Sequence, residues 1–336
     1  MYHFKKKSRP QRSSVYDVYW QFTAKRHAIF TKRLSDPTGP WTNDPVLKDN
    51  RFTNVFRASD RVSQYLINLQ YQGESNRDVF FKTLLFKFFN KIETYCGLER
   101  ELDHISVAAF NLGSYDDVLT RRLVSGNTIY SAAYIMPSAG RAFGYKFKHT
   151  NHLALLLKML DDRLDEKIST AKSLDQVYQL LLGYPSLGSF LAFQYTIDLN
   201  YSVITNFSEM DFVVAGPGAK NGIRKCFSSP GDFTDEDIIR LMADEQAEQC
   251  ERLGLALPDL FGRKLQLIDC QNLFCEVDKY LRATHPELNG ASGRSRIKQK
   301  YKVSKGIQQL FFPPKWQINH NLKEVCQQPV TEGIFS

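Results

Sequence analysis

Apolar side chains recur along this chain at three- and four-residue steps. From Phe81 to Tyr95 they fall at Phe81, Leu84, Leu85, Phe88, Phe89 and Ile92, which is one face of an amphipathic helix packed into a core. Asn151 to Leu164 repeats the pattern with Leu153, Leu156, Leu157 and Leu160, and Leu174 to Leu182 does so again. Thr234, followed by Asp235, Glu236 and Asp237, has the form of an N-cap with an acidic first turn and opens a helix to about Leu253. Strand signals are few. Phe212-Val213-Val214 is short, and the apolar run from Ile129 to Met136 is ambiguous before Pro137 stops it. The pattern predicts a mainly α protein, a helical bundle without internal repeats.

Two glycine turns punctuate the helices. Gly183-Tyr184-Pro185-Ser186-Leu187-Gly188-Ser189-Phe190 and Ala215-Gly216-Pro217-Gly218-Ala219-Lys220-Asn221-Gly222 each lead into a helical stretch in the manner of a helix-hairpin-helix. Backbone N–H groups at such a helix start can cradle a phosphate. The turns therefore predict DNA contacts at Gly188, Ser189, Gly216, Gly218 and Lys220, with Arg224 and Lys225 behind them. Ser292 to Lys302 adds alternating cations, and Arg294, Arg296, Lys298 and Lys300 would neutralise phosphates.

Composition fits this reading. A net charge of +8 favours a polyanionic partner. The basic start at Met1 to Pro10 is not followed by the apolar run of a signal peptide, and no segment reads as a membrane span. The six cysteines show no CxxC pair and no ligand-like spacing with histidine, which predicts reduced thiols and no metal. The expected setting is cytoplasmic, with DNA as the partner and no cofactor or obligate protein partner. Residues 1–20 read as a basic extension, 21–305 as the helical domain and 306–336 as a tail.

A helix-hairpin-helix followed by an aspartate is the layout of base-excision glycosylases, which flip a nucleotide and stabilise the cationic sugar with a carboxylate. Two registers are open. With Gly188 as the hairpin, the aspartate is Asp211 and Phe190 stands where a lyase carries lysine. With Gly218, the lysine is Lys220 and the aspartate Asp269. Asp211 needs the smaller departure in spacing. Asp269, Asn272 and Glu276 stand at i, i+3 and i+7 on one helix face. Asn54, Arg57, Arg61 and Gln64 can share another face, positioned to pair with Asp269 and Glu276 or to line a base pocket. Asn127, Tyr130 and Ser131 are further pocket candidates.

Five ordered motifs carry a family resemblance: Phe52-Thr53-Asn54-Val55-Phe56-Arg57 with Asp60-Arg61; Ser131 to Pro137; Val213 to Ala219; Asp269 to Tyr280; and Ser292-Gly293-Arg294 with Arg296 to Lys300. Over roughly residues 20 to 305 the chain resembles the alpha-glutamyl/putrescinyl thymine pyrophosphorylases, which are related to the helical domain of 5-hydroxymethyluracil DNA kinases and resemble helix-hairpin-helix DNA glycosylases. The resemblance implies an enzyme that recognises bulky modified pyrimidines in double-stranded DNA. The favoured expectation is a monofunctional DNA glycosylase that flips and excises a hypermodified pyrimidine, such as a glucosylated one, from phage DNA in anti-phage defence, leaving an abasic site. The alternatives are an enzyme of thymine hypermodification, of pyrophosphorylase or transferase type, and a non-catalytic DNA-binding module.

Overall fold

The computed structural model describes residues 8–72, 75–289, 296–301 and 309–324; Arg294 lies outside them. In chain order the elements are β1 (Gln11–Arg12), α1 (Tyr16–Ser35), α2 (Pro45–Asp49), α3 (Arg61–Gln70), α4 (Asn76–Phe89), α5 (Ile92–Leu102), α6 (Leu112–Val124), α7 (Gly140–Phe143) and α8 (Lys148–Asp161). They continue with α9 (Leu164–Ser169), α10 (Leu174–Leu182), α11 (Ser189–Tyr201), α12 (Pro217–Cys226), β2 (Phe227–Ser229), α13 (Asp235–Asp244), α14 (Gln246–Arg252) and α15 (Leu267–Thr284). The protein is mainly helical, as the periodicity predicts. The chain forms two compact units, one of residues 1–60 with 213–336 and one of residues 61–212.

In the first unit α15 runs through the core, with Leu267, Ile268, Cys270, Leu273, Phe274, Val277 and Leu281 buried. Tyr19 of α1 sets its ring 4.7 Å from that of Phe274 and donates its hydroxyl to the Cys270 carbonyl. Gly218 and Gly222, four residues apart on α12, face α15. A methyl group at Gly222 would collide with the Phe274 carbonyl, and one at Gly218 would lie 2.9 Å from Cys275 Sγ. These glycines are required by packing. β1 and β2 pair antiparallel, whereas Phe212 to Val214 forms no strand. Thr234 caps α13 in a reciprocal box with Asp237, and the predicted helix then breaks at Glu245 into α13 and α14.

The second unit centres on α4 and α11, which are buried on almost every side. Between them Lys87 and Asp198 form an ion pair at 3.1 Å, their side chains 4% and 1% exposed. Asn90 accepts a further hydrogen bond from Lys87 at 2.8 Å, so the desolvated ammonium has a second partner. The single helix predicted from Phe81 to Tyr95 is two, because Asn90 adopts the left-handed region at φ 49° and ends α4. Of the two glycine turns, the first joins α10 to α11 directly, while the second follows irregular chain and opens only α12. Gly188 has open space around its Cα.

Gly222→Ala is expected to lower the stability of the first unit by about 1–3 kcal/mol through overpacking, whereas Gly188→Ala, whose methyl group meets open space, costs the second unit less. Urea titrations of the two variants check this.

Candidate functional site

The motif Phe52 to Arg57 is an extended segment followed by a short 3-10 turn over Arg57–Ser59, so its backbone N–H groups lack the partners a helix would supply. Three carboxylates supply them instead. Thr53 N–H donates to Glu276 Oε2 at 3.0 Å, Asn54 N–H to Asp60 Oδ1 at 2.8 Å, and Arg57 N–H to Asp269 Oδ1 at 2.7 Å. Asp269 and Glu276 lie on one face of α15, as their spacing predicts, with Asn272 buried between them in sequence. Asp269 is also the third residue of α15 and accepts the Gln266 N–H at 3.0 Å, closing a capping box.

Side chains continue the network. Arg26 of α1 donates to Asn54 Oδ1 at 2.6 Å and to the Phe52 carbonyl at 3.3 Å. Asn54 Nδ2 in turn donates to the Ser59 carbonyl at 2.8 Å. Lys279 bonds Glu276 at 3.2 Å and stands 4.4 Å over the Phe52 ring. Burial pushes the Asp60 carboxyl up to about 6, against the opposing pull of the Asn54 N–H and the Arg26 charge; Glu276 raises it further. Burial also lowers the pKa of Arg26. Asp60 is thus held closer to neutral pH than an ordinary aspartate, the direction that suits general acid-base chemistry.

A basic segment runs beside the motif. Arg51 N–H donates to the Gln299 carbonyl and Tyr301 N–H to the Asp49 carbonyl, each at 3.0 Å, and Lys300 Nζ reaches Asn50 Oδ1 at 3.3 Å. Arg296, Lys298 and Lys300 are exposed there. This chain pairing places three cations next to the loop that the carboxylates hold.

Other predicted residues are placed differently. Asn54 and Arg57 do not share a helix face with Arg61 and Gln64, because Asp60 is extended and α3 begins only at Arg61. Asn54 and Arg57 belong to the first unit, Arg61 and Gln64 to the second. Arg57 meets Asp269 through its backbone amide. Arg61 lies 3.6 Å from Glu93 at the surface, and Gln64 is buried in α3. Lys225 pairs with the fully buried Asp278 at 3.0 Å, so its charge serves the fold; Arg282 closes on the same carboxylate. Lys220 lies 3.9 Å from Asp235, Arg224 is exposed, and Gly216 is buried as the cap of α12. Asp211 is exposed in a turn, its N–H on the Ser208 carbonyl. Gly188 and Ser189 are exposed at the start of α11 and Asn127 is exposed after α6. Tyr130 donates its hydroxyl to His152 Nδ1 at 2.9 Å, and the Ser131 N–H bonds the Phe89 carbonyl. Asp60 is visible in the sequence only as part of a motif, and Arg26 is not marked at all, since it sits in an aromatic helix.

Among the described residues no group of histidine, cysteine and carboxylate side chains is placed to hold a metal ion, and no helix is long and apolar enough to cross a membrane.

A helical protein with a carboxylate-held motif loop beside a basic segment is the class that the structure defines. Residues 13–290 match the family described as "5-hmdU DNA kinase, helical domain", and the chain belongs to that family. A 5-hmdU DNA kinase of Bacillus phage SP10 is 26% identical over 319 residues, which span 85% of this chain and 48% of the relative. The chain therefore covers about half the length of that curated relative. No solved structure matches it. These findings overturn the expectation of a DNA N-glycosylase: the named relative is a kinase, which transfers a group rather than hydrolysing a glycosidic bond. The excision roles expected of Asp211 and Asp269 fall with that activity.

Asp60 gives a pH test. Its folded pKa is raised from 3.8 to about 6, so between those values the folded protein holds a proton that the unfolded chain has released. That contribution to stability is full below about pH 4 and is lost as pH rises through about 6. Chemical denaturation across this range is expected to show wild type losing stability relative to Asp60→Asn as pH increases. A constant difference between the two would refute the assignment.

Proposed function

We propose that this chain is a DNA-acting helical module of thymine hypermodification, of the pyrophosphorylase or transferase type, which handles a 5-hydroxymethyluracil-derived base within DNA. The observation that carries the reading is the pairing of residues 49–51 with 299–301, which sets exposed Arg296, Lys298 and Lys300 beside the motif loop. Cations at that position suit a phosphate backbone. Family membership and the name of the phage relative support a modified base as the target.

The sequence contains no G-x-x-x-x-G-K-[ST] signature of the kind that cradles nucleotide phosphates. Group replacement on an already activated base is the step we propose for these residues. In such a step an amine nitrogen bonds to the exocyclic methylene carbon of the base. The carbon–oxygen bond to a diphosphate breaks, pyrophosphate leaves with the electron pair, and the amine gives up a proton. Asp60, which closes the motif loop by accepting the Asn54 N–H at 2.8 Å and whose carboxyl pKa burial raises, is the group we assign to receive that proton. Gly188 and Ser189, exposed at the start of α11, are a second proposed backbone contact.

The test incubates the protein with DNA carrying thymine, 5-hydroxymethyluracil or its diphosphate ester, with glutamate or putrescine as amine donor, and analyses digested nucleosides by mass. The expected outcome is an amine-substituted nucleoside and free pyrophosphate from the diphosphate DNA alone. Phosphate gain on 5-hydroxymethyluracil DNA with ATP would instead assign the relative's named activity. On the binding side, Lys298→Gln with Lys300→Gln is expected to flatten the dependence of log Kd on log salt by about two, read by fluorescence anisotropy.

A further inference from the structure

From Val118 to Leu160 the chain carries no carboxylate side chain, yet Arg121, Arg122, Arg141, Lys146, Lys148 and Lys158 fall within that stretch. Exposed apolar side chains concentrate in the same place. Among the described residues, Leu123, Val124, Ile135, Tyr145 and Leu157 are exposed there, and Val203 is the one large apolar residue exposed elsewhere. Both properties belong to the second unit.

Within this stretch residues 131–148 are held firmly. Two adjacent buried residues of α8 act as pegs. Asn151 Nδ2 donates to the carbonyls of Tyr145 and Phe147 at 2.8 and 2.7 Å, and its Oδ1 accepts the Tyr145 N–H at 3.0 Å. His152 Nε2 lies 2.8 Å from the Pro137 carbonyl, and its Nδ1 faces the Tyr130 hydroxyl at 2.9 Å. A carbonyl only accepts, so a proton belongs on Nε2, and burial, which lowers the ring's pKa to about 4, keeps it neutral with Nδ1 accepting from Tyr130. Tyr134 adopts the left-handed region at φ 56°, an unfavourable conformation for a residue with a side chain. Its ring stacks on Phe190 at 5.8 Å with an interplanar angle of 4°, and Lys87 Nζ stands 5.1 Å from it. Met136 is fully buried on the other side. Between these anchored neighbours Ile135 is 61% exposed, and Tyr145 is 48% exposed on a backbone clamped at three points.

The cations of residues 131–148 lack carboxylate partners among the described residues. Arg121 pairs with Glu101 and Lys158 with Asp162, but Arg141, Lys146 and Lys148 form no ion pair with a carboxylate among the described residues. Arg141 and Lys146 are exposed and Lys148 is half-buried, its ammonium 4.3 Å over the Tyr130 ring.

We propose that residues 131–148 form a DNA-contact surface in which Tyr145 and Ile135 pack against bases while Arg141, Lys146 and Lys148 meet phosphates. The inference rests on the DNA-directed reading above and adds a location that neither the glycine turns nor the basic segment supplies. A clamped aromatic ring stacks on any base with little entropy to lose, and an exposed aliphatic side chain can fill the gap left when a base step opens. Cations without carboxylate partners can release counterions from phosphates without breaking an ion pair. A basic apolar surface also suits an anionic bilayer, but Ile135 and Tyr145 stand on irregular chain rather than on the long amphipathic face that such binding uses.

The experiment measures anisotropy of labelled single- and double-stranded oligonucleotides with the full chain over a range of salt. Tyr145→Ala is expected to weaken binding about tenfold at unchanged salt slope, and Tyr145→Phe to retain it. Arg141→Gln with Lys146→Gln is expected to reduce the slope by about two. Lys172→Gln, an exposed lysine of the same unit outside the stretch, leaves affinity and slope unchanged. Thermal melts confirm that each variant is folded. Wild-type binding that survives Tyr145→Ala and the double variant with the same slope would overturn this surface and leave the proposed function standing. Absence of wild-type binding to any DNA would overturn the DNA reading itself. Loss of binding to phosphatidylserine vesicles in these variants, with DNA affinity intact, would assign the surface to a bilayer.

Discussion

The close crossing of α12 over α15 is the constraint on which the first unit depends. Gly218 and Gly222 let two backbones approach to where a single methyl group would displace one of them. Held at that distance, α12 delivers the chain into β2, whose partner is β1 at the other end of the sequence. Asp278 is buried beside this crossing between Lys225 and Arg282. Such a cluster contributes less by net attraction than by penalising any arrangement that would leave one of its charges unpaired.

Because α12 and α1 cover its apolar sides, α15 presents a polar face to the motif loop. That loop has no secondary structure of its own through Asn54, and its N–H groups at Thr53, Asn54 and Arg57 each end on a carboxylate. Charge-assisted hydrogen bonds of this kind are stronger than amide–carbonyl ones. They fix the loop without a hydrophobic anchor at every residue. Acidic side chains that look like catalytic candidates are therefore first of all the supports of the site. Asp60 differs from Asp269 in this respect: Asp269 is an N-terminal capping residue that accepts two backbone amides, whereas Asp60 accepts the Asn54 amide in surroundings that favour its protonated form.

Much of the helical architecture was legible in the sequence, because leucine periodicity reports which face is buried and a Thr–Asp capping box needs only local residues. The stripe of α8 and the start of α13 are of this kind. The break at Asn90 was not legible, since α5 continues the apolar spacing of α4 while the backbone reverses its hand. The face formed by Asp269, Asn272 and Glu276 could be read from the spacing. Its partner could not, because Asn54 to Gln64 has α-helical spacing but forms only a short 3-10 turn between extended residues before α3 begins at Arg61. Lys225 reads as a DNA contact because basicity is visible in a sequence, while the buried Asp278 that pairs with it is 53 residues away in another helix. Gly218 and Gly222 read as turn chemistry because a sequence does not show which helix crosses them.

The chain leaves the first unit at Asp60 and returns to it at Val213. A polypeptide emerging from the ribosome therefore completes residues 61–212 as one continuous piece, able to gather its core from contacts within that segment. The motif loop has to wait. Its three carboxylate supports include Asp269 and Glu276, more than two hundred residues downstream, and β1 has no strand to pair with until Phe227 has been made. Closing contacts over such separations costs entropy before any of them is rewarded. The candidate site is consequently assembled late in synthesis, after the segment that interrupts its unit already has the means to fold.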